Sequence, residues 1–86
     1  MIRARIYTEN KELHDLCRLV SEFFDSYTVY GGGGVWNGKH EPSITIEIIA
    51  DSPRMQSLED LCRLIKDFNK QEAVLYTLES IRGELI

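Results

Sequence analysis

The sequence predicts an α+β protein of the ferredoxin-like class, a four-stranded antiparallel sheet with both helices on one face. Three observations predict it: two helical segments repeat at an offset of 45 residues, an alternating strand precedes each copy, and a β-prone stretch follows each copy. The element order is therefore βαββαβ. Two βαβ halves with right-handed crossovers place the first and third strands at the centre of the sheet.

The first and third strands are indicated by strict alternation of side chains. In residues 2–7, Ile2, Ala4 and Ile6 share one side, and Arg3, Arg5 and Tyr7 share the other. In residues 43–50, Ile44, Ile46 and Ile48 alternate in the same way with Thr45, Glu47 and Ile49. Each strand is thus predicted to be buried on one face only.

The two helices are indicated by the segments "LHDLCRLVSEF" (13–23) and "LEDLCRLIKDF" (58–68). In both, apolar residues recur at i, i+3, i+4, i+7 and i+10, which forms one face of a helix. Asn10 and Ser52 are the predicted N-caps, and Pro53 suits the first helical position. The equivalent Cys17 and Cys62 are expected to be small apolar core residues, which could lie close together.

Length, composition and charge restrict the class of protein. We expect one domain, residues 1–86, that is soluble, cytoplasmic and without a membrane span. The net charge of −4 and a pI near 5.1 disfavour nucleic-acid binding, which depends on clustered basic residues. Two histidines and two cysteines lack metal-ligand spacing, so neither a metal nor another cofactor is expected.

The segment "YGGGGVWNGKHEPS" (30–43) concentrates five of the six glycines and the one tryptophan. It predicts a strand to Trp36, a tight turn at Asn37 and Gly38, and a return strand from Lys39. Glycines within a strand typically mark a bulge or a close approach of a ligand. The spacing from Gly33 to Lys39 matches a P-loop, but His40 follows where Ser or Thr is required and no helix begins there.

This hairpin is the predicted ligand site. Consecutive glycine amides can form an anion-binding nest, Trp36 offers a stacking surface, and two neighbouring side chains carry or can acquire positive charge. The predicted ligand is an anionic, nucleotide-like small molecule that the protein sequesters or senses without turning it over. The predicted binding residues are Gly31, Gly32, Gly33, Gly34, Trp36, Lys39 and His40.

Three alternatives stay open at this point. The hairpin could be a bulged or flexible turn without a ligand. The chain could be a protein-interaction module whose glycine strand accepts a partner strand. It could also be a small enzyme that uses His40 and Glu41.

The sheet face opposite the helices is the predicted interface of a homo-oligomer, because a chain this short gains stability by covering it. The residues assigned to it are Arg3, Arg5, Tyr7, Glu47 and Ile49. The apolar tail with Leu78, Ile81, Leu85 and Ile86 is expected either to extend the edge strand or to cover a neighbouring subunit.

Residues 13–76 resemble small uncharacterised proteins of bacterial and phage genomes, which share a TVxxGxGxW strand, an EPS strand start and a QxxVL segment. The matching residues are Thr28, Val29, Gly32, Gly34, Trp36, Glu41, Pro42, Ser43, Gln71, Val74 and Leu75. The resemblance implies a ferredoxin-like fold and no activity, and it admits a phage accessory protein that inhibits a host factor. The additional Gly31 and Gly33 depart from the pattern and predict less regular strand pairing.

Overall fold

The computed structural model describes residues 1–51 and 55–86 and has the predicted order of elements. The strands and helices are β1 (Ile2–Glu9), α1 (Leu13–Ser21), β2 (Thr28–Trp36), β3 (Lys39–Ala50), α2 (Met55–Asn69) and β4 (Leu75–Ser80). The sheet order is β2-β3-β1-β4, and every neighbouring pair is antiparallel. The prediction of a ferredoxin-like fold with the first and third strands in the centre is confirmed.

The core lies between the sheet and the two helices. The strands contribute the predicted buried sides of β1 and β3, and the helices contribute their apolar stripes. Its fully buried residues are Ala4, Ile6, Leu16, Val20, Ile44, Ile46, Ile48, Leu58, Leu61, Cys62 and Ile65. Because all five of the strand residues have even numbers, the helices cover a single face. The opposite face, with Arg3, Arg5 and Tyr7 of β1, is called the open face below.

The β2–β3 hairpin extends beyond the end of the neighbouring strand β1. β3 has 12 residues, but its pairing with β1 ends where Ser43 meets Glu9. Residues 33–42 therefore project past β1 as a two-stranded ribbon, called the overhanging hairpin below. The predicted turn is confirmed, with φ of 49° at Asn37 and 78° at Gly38, the left-handed pair that a tight hairpin requires.

Strand pairing across the glycines is regular, contrary to the prediction of a bulge or of doubtful pairing. The register runs without interruption from Thr28 opposite Glu47 to Trp36 opposite Lys39. The glycines need no side chains for this pairing, because backbone groups make the ladder while Val29 on the core side and the Asn37-Gly38 turn fix the register on either side of them.

The predicted N-cap at Asn10 is wrong. Helix α1 begins at Leu13, with Glu12 in the capping position and no side-chain cap bond. The Asn10 N–H instead donates a 3.0 Å hydrogen bond to the Pro42 carbonyl, which continues the pairing of β1 with β3 past the end of the strand. The predicted cap at Ser52 and the proline at Pro53 lie outside the described residues.

The buried stripe on each helix is shorter than the sequence pattern predicts. α1 ends at Ser21, two residues before the predicted end, and Phe23 packs against the core from the following turn. Leu13 at the start of α1 and Phe68 near the end of α2 are 40% and 43% exposed. Only the central turns of each stripe are therefore fully covered by the sheet.

The C-terminal segment extends the edge strand, the first of the two predicted outcomes. β4 pairs with β1 as far as Ser80 opposite Ile2, and the Ile81 N–H donates a 2.9 Å hydrogen bond to the Met1 carbonyl. Leu85 and Ile86 are fully exposed. In the part of the chain that the structure describes, neither helix has the length and hydropathy of a membrane span.

Candidate functional site

A groove of about 640 Å³ lies on the open face, at the end of the sheet where the hairpin overhangs. One wall is the overhanging hairpin, including Gly34, Trp36 and Lys39. The opposite wall is the turn between α2 and β4, residues 70–73. The floor is the last part of β1, with Tyr7 and Glu9. The groove exists because β1 stops short of the hairpin and leaves a step between the two walls.

The predicted ligand-binding residues are divided between the two faces of the hairpin. Successive side chains of a strand point to opposite faces, and Trp36 is paired with Lys39. Both therefore lie on the open face, and both line the groove. His40 pairs with Val35 on the other face, where these two residues border a separate, shallow depression.

The glycines do not form the concave amide nest that the sequence suggested. A nest requires residues that alternate between right-handed and left-handed conformations. Gly31 to Gly34 are extended strand residues, and Gly38 is the one described glycine with a positive φ. Their amides belong to an edge strand, so they present a flat wall.

The glycine stretch of β2 is unusually bare, although Gly31 and Gly32 lie outside the groove and only Gly33 and Gly34 border it. A Cβ added at Gly31, Gly32 or Gly33 would meet no atom within 4 Å, and one at Gly34 would only contact the Ser43 side chain, at 3.4 Å. The chain's own packing therefore does not require glycine at the first three positions. A strand glycine that nothing in the chain requires is typical of a place where a ligand or another backbone approaches closely.

Two carboxylates lie side by side on the floor of the groove. Glu9 is paired with Ser43, so Glu41 is its diagonal neighbour on the same face. The Lys11 ammonium lies 2.9 Å from Glu9 Oε2, and this contact lowers the pKa of Glu9 below its usual value. Partial burial, and next the hydrogen bond with Glu9, raise the pKa of Glu41. The charge of Glu9 in the groove is thus balanced by Lys11.

The α2–β4 turn is anchored to the groove floor by a buried amide. Asn69 is 2% exposed, and its Nδ2 donates to Thr8 Oγ1 at 3.0 Å, to the Glu9 carbonyl at 3.1 Å and to Gln71 Oε1 at 3.0 Å. Thr8 also donates to Gln71 Oε1. This network ties the turn that carries Lys70 to the end of β1, so this wall is fixed to the floor of the groove.

The five predicted interface residues all lie on the open face, but three of them are engaged with one another. Glu47 is buried and accepts a 3.0 Å hydrogen bond from Arg5 Nε, while Arg3 Nε lies 3.7 Å from the same oxygen. Arg3 also pairs with Glu79 of β4. Tyr7 and Ile49 remain available at the surface of the open face, and Ile49 is 45% exposed.

His40 and Glu41 do not converge as the enzyme hypothesis requires. They are adjacent in a regular strand, so their side chains point to opposite faces. Glu41 lines the groove and His40 does not, although both residues border the shallow depression. The two groups therefore cannot act together on one atom of a molecule in the groove.

Neither Lys70 nor Glu9 was among the ligand-binding residues predicted from the sequence. Lys70 stands at the end of the second repeated helix in "FNKQEAVLY", where a lysine reads as an ordinary solvated residue. The sequence contained one indication that this turn matters. Gln71, the residue after Lys70, is among the residues that match the resemblance, and in the structure it belongs to the hydrogen-bond network that holds the turn.

Known proteins are similar to this chain in structure, whereas the sequence comparisons found no match. No protein-family model matches the chain, and no curated protein does. A DUF3240 family protein from Shewanella baltica OS155 is similar with a TM-score of 0.68 and 15% identity, over 99% of this chain and 96% of that one. A phage SAM lyase in its apo state is similar with a TM-score of 0.68 and 16% identity, over 91% and 78%.

A third similar structure is CPII from Thiomonas intermedia K12, a nitrogen regulatory PII-like protein bound to ADP, AMP and bicarbonate. Its TM-score is 0.66 at 16% identity, over 99% of this chain and 94% of that one. The shared property is the fold. The DUF3240 neighbour also agrees with the resemblance to small uncharacterised domains, while the resemblance motif itself stays a prediction.

Proposed function

We propose that this chain is a non-enzymatic binding protein that holds an anionic, nucleotide-like molecule in the groove between the overhanging hairpin and the α2–β4 turn. The observation that carries the proposal is that an exposed tryptophan and two lysines line one groove, which is also bordered by Gly33 and Gly34. Binding there would sequester or sense the molecule.

Trp36 supplies the stacking surface. It is 51% exposed although it is the largest apolar side chain of the hairpin, and it faces the groove. A planar base that stacks on an indole gains about 1–3 kcal/mol, largely independently of which base it is. Gly34, the neighbour of Trp36 on the same face, has no side chain, so such a ring can approach the backbone of β2 there, next to Ser43.

Lys39 and Lys70 supply positive charge from opposite walls. Among residues 1–51 and 55–86, neither ammonium has an ion-pair partner. A phosphate between them would receive two charge-assisted hydrogen bonds. Glu9 and Glu41 on the floor suit the other end of a nucleotide, because carboxyl oxygens accept hydrogen bonds from ribose hydroxyls or an exocyclic amine.

The comparisons support the choice of first probes. CPII, with the same fold, is bound to ADP and AMP, and the phage neighbour is named a SAM lyase. We therefore expect adenine-containing molecules to be informative ligands for this groove.

The test is a titration followed by the intrinsic fluorescence of Trp36, which is the one tryptophan, and by thermal unfolding. The probes are adenosine, AMP, ADP, ATP and SAM, with mass spectrometry of each probe after incubation. We expect a saturable fluorescence change and a raised Tm with an unaltered probe. Lys39→Gln should weaken binding, and Lys66→Gln on the exposed side of α2 is the matched control. No saturable response to any probe would contradict the proposal.

A second candidate function is strand addition at β2, which the bare edge favours. β2 is an edge strand, so half of its backbone groups are free to pair with an extended segment of a partner protein. Gly31→Pro and Gly32→Pro distinguish pairing with β3 from pairing with a partner. The N–H groups of neighbouring residues point alternately toward β3 and away from the sheet, and proline removes one N–H. One variant should lower the Tm, and the other should keep the fold and abolish pairing.

The proposal also includes self-association through the open face. Tyr30, Ile49 and Leu75 are 47%, 45% and 57% exposed on this face, while the arginines between them are paired. A second copy would cover these apolar side chains without stranding an unpaired charge. Sedimentation analysis should show an oligomer that Ile49→Lys dissociates, and Leu64→Lys on the surface of α2 is the control; a monomeric parent chain would contradict this part.

A further inference from the structure

Helix α2 ends with a lysine in a backbone conformation that favours glycine. Lys70 has a φ of 55°, in the left-handed region. Its N–H donates to the Asp67 carbonyl at 3.2 Å, and the Gln71 N–H donates to the Lys66 carbonyl at 2.9 Å. These two bonds define a Schellman motif in which the left-handed residue is usually glycine, because a Cβ is unfavourable there.

Lysine does not occupy the other left-handed positions among the described residues. At its other strongly left-handed positions, in the hairpin turn, the chain has Asn37 and Gly38, the residues that such geometry prefers. Attraction to the negative end of the helix does not require a lysine at this position, since Lys66 already supplies a positive charge in the last turn. Backbone preference alone would place glycine or asparagine at position 70.

The side chain at this position lines the groove. The Asn69 network holds the turn against the floor, so Lys70 stands on the wall facing Trp36 and Lys39. In the described part of the chain its ammonium has no hydrogen-bond or ion-pair partner that would account for it. A strained residue that adds an uncompensated charge to a groove is a candidate for function.

The geometry points to Lys70 as a phosphate-binding residue that makes the groove prefer nucleotides to nucleosides. This inference rests on the proposed function and refines it. Lys39 belongs to the hairpin tip, whereas Lys70 belongs to a turn that is fixed to the sheet. Lys70 therefore sets where the phosphate sits, and the hairpin brings Trp36 and Lys39 to the same molecule.

The test compares Lys70→Gly and Lys70→Gln by thermal unfolding and by calorimetric titration with ADP and adenosine. Lys70→Gly should keep or raise the Tm, because it relieves the left-handed strain. Both variants should bind ADP at least about tenfold more weakly, the size of effect expected for one lost charge-assisted hydrogen bond. Adenosine affinity should be unchanged, and Lys66→Gln should bind both molecules like the parent.

Three outcomes would overturn the inference. If ADP affinity survives in both Lys70 variants while Lys39→Gln and Trp36→Ala lose it, the groove binds nucleotides without Lys70. If Lys70→Gly lowers the Tm, the lysine is there for the fold. If the parent chain binds neither ADP nor adenosine, the proposed function fails together with the inference.

Discussion

The Tyr30 hydroxyl donates a 2.7 Å hydrogen bond to Oε2 of Glu47, and this contact joins the edge strand β2 to the central strand β3 across the open face. Arg5 Nε donates to the other oxygen of the same carboxylate at 3.0 Å. A buried carboxylate is stable only with such donors. The hydrogen bonds from Tyr30 and Arg5 outweigh burial and hold the pKa of Glu47 below its usual value.

We predict that Glu47 stabilises the fold at neutral pH and stops doing so in acid. The folded state favours the charged carboxylate, so this stabilisation is complete above the usual pKa, near 4.5, and is lost as the pH falls through the lowered folded value. Glu47→Gln should cost about 1–3 kcal/mol at neutral pH. Thermal unfolding from neutral to acid pH should show the Tm deficit shrinking; a deficit independent of pH would contradict the assignment.

Asn69 should be one of the most sensitive polar positions. Asn69→Ala removes the amide that donates to Thr8 Oγ1, the Glu9 carbonyl and Gln71 Oε1, of which Gln71 keeps the hydrogen bond from Thr8, at a cost of about 1–3 kcal/mol. Urea unfolding measures this loss. Gln56→Ala is the control, because its bond to Asp60 lies on the exposed surface of α2 and its loss should change stability by less than about 0.5 kcal/mol. Equal effects of the two substitutions would show that the network does not hold the turn.

The first three glycines of the β2 stretch should tolerate substitution by alanine, because the space beside them is open. Gly31→Ala, Gly32→Ala and Gly33→Ala introduce a methyl group into open space, so each should leave the unfolding free energy unchanged or raise it by up to about 1 kcal/mol. Gly38→Ala should instead destabilise, since φ at that position is 78°. Thermal unfolding of the four variants decides this, and a large loss at Gly32 would mean that the chain itself needs the bare strand.

The two thiols should differ in reactivity. Burial, and next the nearby Glu59 carboxylate, raise the pKa of the Cys62 thiol to about 11, whereas Cys17 is only partly buried. Because the thiolate is the reactive form, a thiol reagent at mildly alkaline pH should label Cys17 first. Mass spectrometry should show one fast modification in the folded protein and two after denaturation. Equal labelling rates in the folded state would contradict the burial of Cys62.

Local pattern accounts for most of what could be predicted. The alternation through Ile2, Ala4 and Ile6 identified β1 and its buried side, and Asn37-Gly38 identified the turn, because both signals depend only on neighbouring residues. The cap at Asn10 was mispredicted because the pairing of β1 with β3 continues to Asn10, whose N–H donates to the distant Pro42 carbonyl, so that α1 begins only at Leu13. The bulge among the glycines was mispredicted because the register is fixed on both sides of them, by the core contact of Val29 and by the tight turn at Asn37-Gly38.

The candidate site was only half predictable. Trp36 and Lys39 line one groove, whereas alternation along β2 and β3 places His40 on the opposite face. That these residues bind a ligand stays a prediction. Lys70 was missed because its position depends on how α2 ends and on where the buried Asn69 fixes the following turn.

The amino-acid sequence by itself determined the order of the elements, the two faces of the sheet and the tight turn of the hairpin, since periodicity and turn chemistry act over a few residues. Only the tertiary structure decided that β1 ends short of the hairpin, that Glu9 and Glu41 meet, and that Lys70 and Trp36 line the same groove. These relationships depend on strand lengths and on contacts between distant segments, for which no local pattern exists.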